Sequence, residues 1–434
     1  MSVESSEFAT QPVPDESTVG WFRVALVAAM VAFSLPTFLT GIEISIASSP
    51  EHAVRILIVG SIILTVIGSL TASIGANTRL SSYMLNRIAF GSRGAALVNL
   101  AFALSLLGWF GVNIDLFSSA VQRLATDIYD VSIPAWPVEI AAGIVMTITT
   151  VFGFRAINIL SMLLVPVLIA VTAQLIAGSL EVRPLSDIMS TAVANEISFG
   201  DGVSAVVGAV IVGAVILPDI TRFVRHWSGA VFVVLIAYLL IELIVTGAGG
   251  LAAAALKDDD LLNIMLTLGI GWAAFAIVIF GSWVLNSLNL YSTMLSVEST
   301  AQNLNNTVLI VVLGALGTLA AFFDILDYFL SFLFYLAIVF VPVAGVIAVD
   351  YLFLRRSAYH GERLQLQEEL RVDAVICWGL GAGVALFGSL GWLSLSDIAA
   401  VDAMFIAGGA YYLLSRIRGK GQANGKTVIT GDPK

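Results

Sequence analysis

Ala32-Phe33-Ser34-Leu35-Pro36-Thr37-Phe38-Leu39-Thr40-Gly41 sets a proline and three hydroxyl side chains inside an apolar run from residue 21 to 46. A proline inside a helix removes one N–H and crowds the carbonyl four residues back, so the helix is expected to break there. Whether that break carries function depends on the surroundings of the run. The chain has 434 residues, of which 59% are hydrophobic and only 12% charged. Soluble domains devote about a quarter of their residues to charge, so this surface is expected to face lipid. A bilayer core about 30 Å thick takes roughly 20 apolar residues per helix. Twelve stretches reach that length, at 21–46, 54–76, 95–123, 136–153, 157–180, 201–221, 229–256, 262–296, 306–323, 328–352, 373–393 and 398–416, the third and eighth long.

Charge supports the count. With the N-terminus inside, alternation leaves only Arg55, Arg123, Arg183 and Lys257 outside, of 20 lysines and arginines. That bias obeys the positive-inside rule. It predicts a multi-pass protein of the cell (inner or plasma) membrane with both termini cytoplasmic. The start is acidic and polar, without a signal peptide's basic region, so the first span is expected to be permanent.

A second interruption lies in the sixth span, with Gly208 and Gly213 mid-span and Pro218-Asp219 near its inner end. Spans 1 and 6 correspond if spans 1–5 and 6–10 are two copies of one unit. An odd number of spans per copy inserts the second upside down. Irregular backbone at membrane depth survives only against protein or a water-filled cavity, and paired broken helices in inverted repeats point to a transporter's binding site. Packing is the plainer account of each glycine alone, since small residues line membrane helix interfaces. The expected organisation is a tail at 1–20, repeats at 21–180 and 201–352, two further helices at 373–416 and a tail at 417–434.

Other classes find little support. The net charge of −10 offers no basic stripe for nucleic acid. Cys377 is the only cysteine, and His52, His226 and His360 fall in expected loops. No H-E-x-x-H, G-x-S-x-G or ATP-binding G-x-x-x-x-G-K-[ST] motif occurs. An enzyme, a cofactor or a metal site is therefore not expected, and a passive channel or sensor lacks a filter or an appended domain. Asp258-Asp259-Asp260 reads as a solvated loop. No pattern sets an oligomeric state, and a monomer is compatible with the site.

Collinear segments through residues 11 to 355 carry a family resemblance. They are Gln11-Pro12-Val13-Pro14, Phe33-Ser34 to Thr40-Gly41, Gly75-Ala76-Asn77-Thr78, Phe90-Gly91 with Gly94, and Gly108-Trp109-Phe110-Gly111. Asp219, Arg222 and Phe223 follow, then Trp283, Asn286, Leu290 and Tyr291, then Pro342-Val343, Gly345-Val346-Ile347 and Asp350-Tyr351-Leu352. Together they resemble the nucleobase–cation symporter-1 family of purine and cytosine permeases. The resemblance implies an all-α membrane fold of the leucine-transporter type: a 5+5 inverted repeat plus two C-terminal helices, with helices 1 and 6 discontinuous. It also implies a midplane site between spans 1, 3, 6 and 8, and import of nucleobases, hydantoins, allantoin or vitamin precursors with sodium or protons.

By that resemblance Trp109 is the indole on which a planar substrate stacks. Ser105 and Asn113, one turn to either side, share its face. Phe33 and Ser34 at the span 1 break and Asn286 on span 8 complete the expected pocket, with Thr37, Thr40, Ser282, Ser287 and Asn289 beside it. The chain also departs from the family. The family's second aromatic wall aligns with Val210, its pocket glutamine with Leu106, and its span 8 sodium ligands with Gly281, Val284 and Leu285. Losing three side-chain oxygens favours a proton over sodium. A carboxylate inside a bundle is costly and marks a functional candidate, which makes Asp115, Glu43 and Glu242 candidates for coupling. Asp219 beside Arg222 reads as a gate or structural ion pair. The expected cargo is a small planar heterocycle such as cytosine or a purine. The alternatives are hydroxymethylpyrimidine, a hydantoin, allantoin or an amino-acid-like solute.

Overall fold

Pro36 acts where the sequence puts it. Helix α1 (Trp21–Ala32) stops at Phe33, whose N–H still reaches the Ala29 carbonyl at 2.8 Å. Helix α2 (Leu35–Ile46) then starts with Pro36 in its first turn, where the missing N–H costs nothing. Between them Ser34 is extended, and the halves meet at 50°. The computed structural model describes residues 11–426 apart from 153, 192–195, 299–303, 324, 361–367, 391 and 393; side chains at 127–128, 154–164, 272–278 and 419–426 are likewise outside the description.

The remaining helices follow the expected order. They are α3 (Pro50–Thr78), α4 (Ser82–Tyr129), α5 (Ala135–Val151), α6 (Phe154–Val182), a short α7 (Leu185–Met189), α8 (Phe199–Ile216) with the turn α9 (Pro218–Thr221), and α10 (Trp227–Val234). A π-helical segment, Leu235–Ile241, leads from α10 into α11 (Glu242–Leu256). Then come α12 (Leu261–Thr267), α13 (Gly271–Glu298), α14 (Asn306–Ala321), α15 (Phe329–Val349), α16 (Val372–Ser389) and α17 (Ala399–Lys426). Among the described residues, seven helices are long and apolar enough to cross a bilayer, and α1 with α2 makes an eighth crossing if the bent pair is one span. Helices α5 and α14 are shorter apolar helices in the fourth and ninth places, while α13 and α17 hold the eighth and twelfth.

Three boundaries differ from the sequence reading. The third span begins at Ser82 rather than 95, because Gly91, at φ 77°, turns a leading helical segment into the crossing one. Only glycine takes that φ without strain. The residue also lies under the connection from α15 to α16, where a Cβ would stand 2.9 Å from the Glu368 carbonyl oxygen. Backbone bonds from Ser92 to Glu368, Arg93 to Glu369 and Arg371 to Phe90 hold that connection down. The eighth stretch divides into α12 and α13, and α12 is capped by Asp260, which accepts from the N–H groups of Leu262 and Asn263. Asp260 also pairs with Arg123 at 2.6 Å, so this acid, read as solvated, is structural. His52 sits in the first turn of α3, not in a loop.

Span 6 is helical through Gly208 and Gly213; α8 ends at Ile216 and α9 resumes at Pro218, with Leu217 between them still at helical φ −54° and ψ −29°, so the expected break in this span is at most a local irregularity. Gly208 instead admits the Leu333 backbone of α15. A similar close approach binds span 1 to span 7: a Cβ at Gly41 would collide with the Thr246 carbonyl of α11, and Gly250 lies against the Gly41 carbonyl.

The bundle is inside-out relative to a soluble protein. Val54, Ile58, Ile62 and Val66 line an exposed face of α3, and Val308, Val312, Leu316 and Leu319 one of α14. Asn86, Asn113, Asn286, Glu242 and Asp350 are each 0% exposed. Polar groups inside and apolar ones outside suit a lipid solvent. At the arginine-rich end, residues 13–20 run over the bundle. Val13 donates to Arg79, Val19 forms a parallel bridge with Val224, and Arg79 donates to the carbonyls of Arg222, Val224 and Arg225.

Candidate functional site

The residues expected to form the pocket lie in two buried clusters. Trp109, on α4, is 6% exposed and shares a buried cluster with Val210 of α8. Phe33, at the α1–α2 break, shares a second cluster with Val284 of α13. Trp109 faces protein rather than lipid, its ring edge-on to Phe332 at 5.2 Å and Phe329 at 6.1 Å, both of α15. Two phenylalanines of span 10 thus pack edge-on against the indole. Those two phenylalanines were not read from the sequence. Their spacing of three places them on one helix face, but span 10 is so apolar throughout that no stripe stands out.

Two amides bracket the same turn of α4. Asn113 donates to the Trp109 carbonyl at 2.7 Å, and Asn286 of α13 donates to the next carbonyl, Phe110, at 2.8 Å. Each leaves its Oδ1 buried without a partner, as is the Ser282 Oγ one turn before Asn286. A buried unpaired acceptor costs about 1–3 kcal/mol. Ser105 is buried, but its hydroxyl is turned back to Phe102 at 2.8 Å. Ser34 pairs with Thr37 at 2.9 Å, Thr40 with the Pro36 carbonyl at 2.8 Å, and Ser287 with Trp283. Such back-bonds are the common fate of hydroxyls on helices.

The ion candidates are scattered. Val284 is buried and brings no oxygen, and the Pro36 carbonyl already accepts from Thr40. Asp115 is half-buried on α4. Glu43 is half-buried near the outer end of α2, within electrostatic reach of Asp259. Asp219 accepts both the N–H and the O–H of Ser82, at 2.8 and 2.9 Å, and so ties the end of span 6 to the start of α4. Arg222 donates to the Asp219 backbone carbonyl. No cluster of three or more metal-ligating His, Cys, Asp or Glu side chains occurs among the described residues.

Comparison with known proteins gives the family. Residues 12–405 match the family described as permease for cytosine/purines, uracil, thiamine, allantoin. The cytosine permease of Escherichia coli (strain K12) is 26% identical over 407 residues, covering 91% of this chain and 95% of the relative. The cytosine permease of Escherichia coli O157:H7 matches to the same extent. Among solved structures, Mhp1, a nucleobase-cation-symport-1 family transporter in a closed conformation with bromovinylhydantoin bound, superposes with a TM-score of 0.81 at 18% identity, over 94% of this chain and 95% of the other. An inward-facing conformation of Mhp1 gives 0.82 at 16% identity, over 94% and 93%. The fold is therefore the one the broken helix implied, and the chain belongs to the membrane transporters of the nucleobase–cation symporter-1 family, the permeases for cytosine/purines, uracil, thiamine and allantoin.

Proposed function

We propose that this permease imports a small, planar, nucleobase-like solute such as cytosine or a purine by alternating access, driven by a cation gradient and by protons rather than sodium. The observation that carries the reading is the turn of α4 at Trp109–Asn113. It carries a buried indole, and the carbonyls of Trp109 and Phe110 hold the amides of Asn113 and Asn286, whose Oδ1 atoms have no partner. An aromatic face takes a flat heterocycle at little entropic cost, and the acceptors suit its ring N–H and amino groups. Proton drive is favoured because Gly281, Val284 and Leu285 bring no side-chain oxygen to span 8. The arginine-rich end, holding both termini, faces the cytoplasm under the positive-inside rule.

Cells expressing the chain should take up labelled cytosine, uracil, hypoxanthine or hydroxymethylpyrimidine. Uptake should persist without sodium and collapse with an uncoupler. If no flat heterocycle is transported or competes, the reading fails. Loss of uptake on sodium removal would overturn the choice of ion.

A further inference from the structure

One acid inside the bundle has nothing to neutralise it. Glu242 opens α11 and is 0% exposed, and neither carboxylate oxygen has a hydrogen-bond partner. The π-helical segment Leu235–Ile241 ends directly before it, and such irregular turns recur at functional sites. Tyr238, within that segment, is 1% exposed and within electrostatic reach of Glu242. Its hydroxyl stands beside Gly213, where Val210 and Val31 also meet. Glu242 thus sits one turn from the place where span 1, just before its break, crosses span 6.

The titratable groups on the packed neighbours lie elsewhere. Glu43 of α2, His52 and Arg55 of α3, Glu181 of α6, Asp187 of α7 and Asp260 before α12 all belong to the far ends of their elements. Arg183 marks that end by donating to Ala254, which is roughly 18 Å along α11 from Glu242. Among the described residues, Tyr238 is the one titratable neighbour. An ionised carboxylate here has neither donor nor countercharge, whereas the acid form has no charge to compensate.

We propose that Glu242 is the proton-binding site of this carrier. This rests on the cation-coupled reading above and names the residue that does the coupling.

The purified full chain in liposomes would be assayed with labelled cytosine, uracil and hypoxanthine, both by counterflow and by accumulation under an imposed pH gradient. One pH unit supports at most about tenfold accumulation per proton carried. In Glu242→Gln, which keeps the shape of the acid, that accumulation should fall to equilibration while counterflow persists. In Glu242→Asp, the pH profile should shift. Gradient-driven accumulation by Glu242→Gln with the wild-type pH profile would overturn the proposal. Infrared difference spectra of the unliganded protein across pH give a readout that needs no solute: a carboxylic acid band that titrates in wild type should vanish in Glu242→Gln. If wild type exchanges no solute, the carrier reading fails, and this band still decides the site. Its absence from wild type removes Glu242 as a proton site.

Discussion

Trp109 and Asp350 show how differently single residues serve this fold. Trp109 offers a face. Removing it in Trp109→Ala should weaken solute binding by about 1–3 kcal/mol, roughly five- to 150-fold, and should also lower thermal stability, because the indole is buried against Phe329 and Phe332. Competition binding against the wild type checks this, and near-normal affinity would remove the indole from the pocket. Asp350, 0% exposed, is fully satisfied instead: Arg355 binds it through two nitrogens at 2.9 and 2.8 Å, and Tyr359 and Tyr411 donate to it at 2.6 and 2.7 Å. Burial, with the Asp350 carboxylate beside it, pushes the Tyr359 hydroxyl well above the ordinary phenol range, so that donor persists at physiological pH. Asp350→Ala strands a cation and two hydroxyls and should cost about 3–5 kcal/mol, read as a lowered unfolding temperature in detergent. Trp109 was singled out in the sequence because its segment resembles the family's, and its stacking role is the proposal. The acceptors at Asn113 and Asn286 were named as residues, but their unpaired state was not, since it depends on which carbonyls the neighbouring helix presents. Glu242 was visible as an acid in an apolar run, and only packing shows that it lacks a partner.

At the scale of elements, hydropathy picked out the long apolar helices, and proline placed the break in the first of them. Two joints escaped it. Gly91 reads as one more small residue until its φ of 77° and the strap of Glu368–Arg371 above it are seen. The division of the eighth stretch at 268–270 lies inside an unbroken apolar run. Replacing Gly91 with alanine should destabilise the protein by about 1–3 kcal/mol from backbone strain alone. Gly379→Ala on α16 is the control, because a Cβ there meets nothing within 4 Å; it should be neutral or slightly stabilising. Thermal unfolding of both variants checks the pair, and equal shifts would contradict the strained joint.

For the whole molecule, the expected orientation can be tested because the single thiol, Cys377, is 0% exposed. In a Cys377→Ala background, Lys257→Cys should react with an impermeant maleimide added to intact cells, and Arg225→Cys only after the membrane is opened. The reverse pattern would invert the topology. Arginine placement is the sequence's argument for this orientation, while the traverse of residues 13–20 over the bundle was not legible, since a polar stretch without periodicity gives no hint of where it docks. That traverse has a mechanical effect. The Val19 N–H donates to the Phe223 carbonyl and its own carbonyl accepts from Arg225, and Arg79 grips the same segment at the carbonyls of Val224 and Arg225. The lower leg of span 1 and the foot of span 6 are thereby stitched into one lever, so the doorway on that side can swing only if both swing together or the stitch is first unpicked.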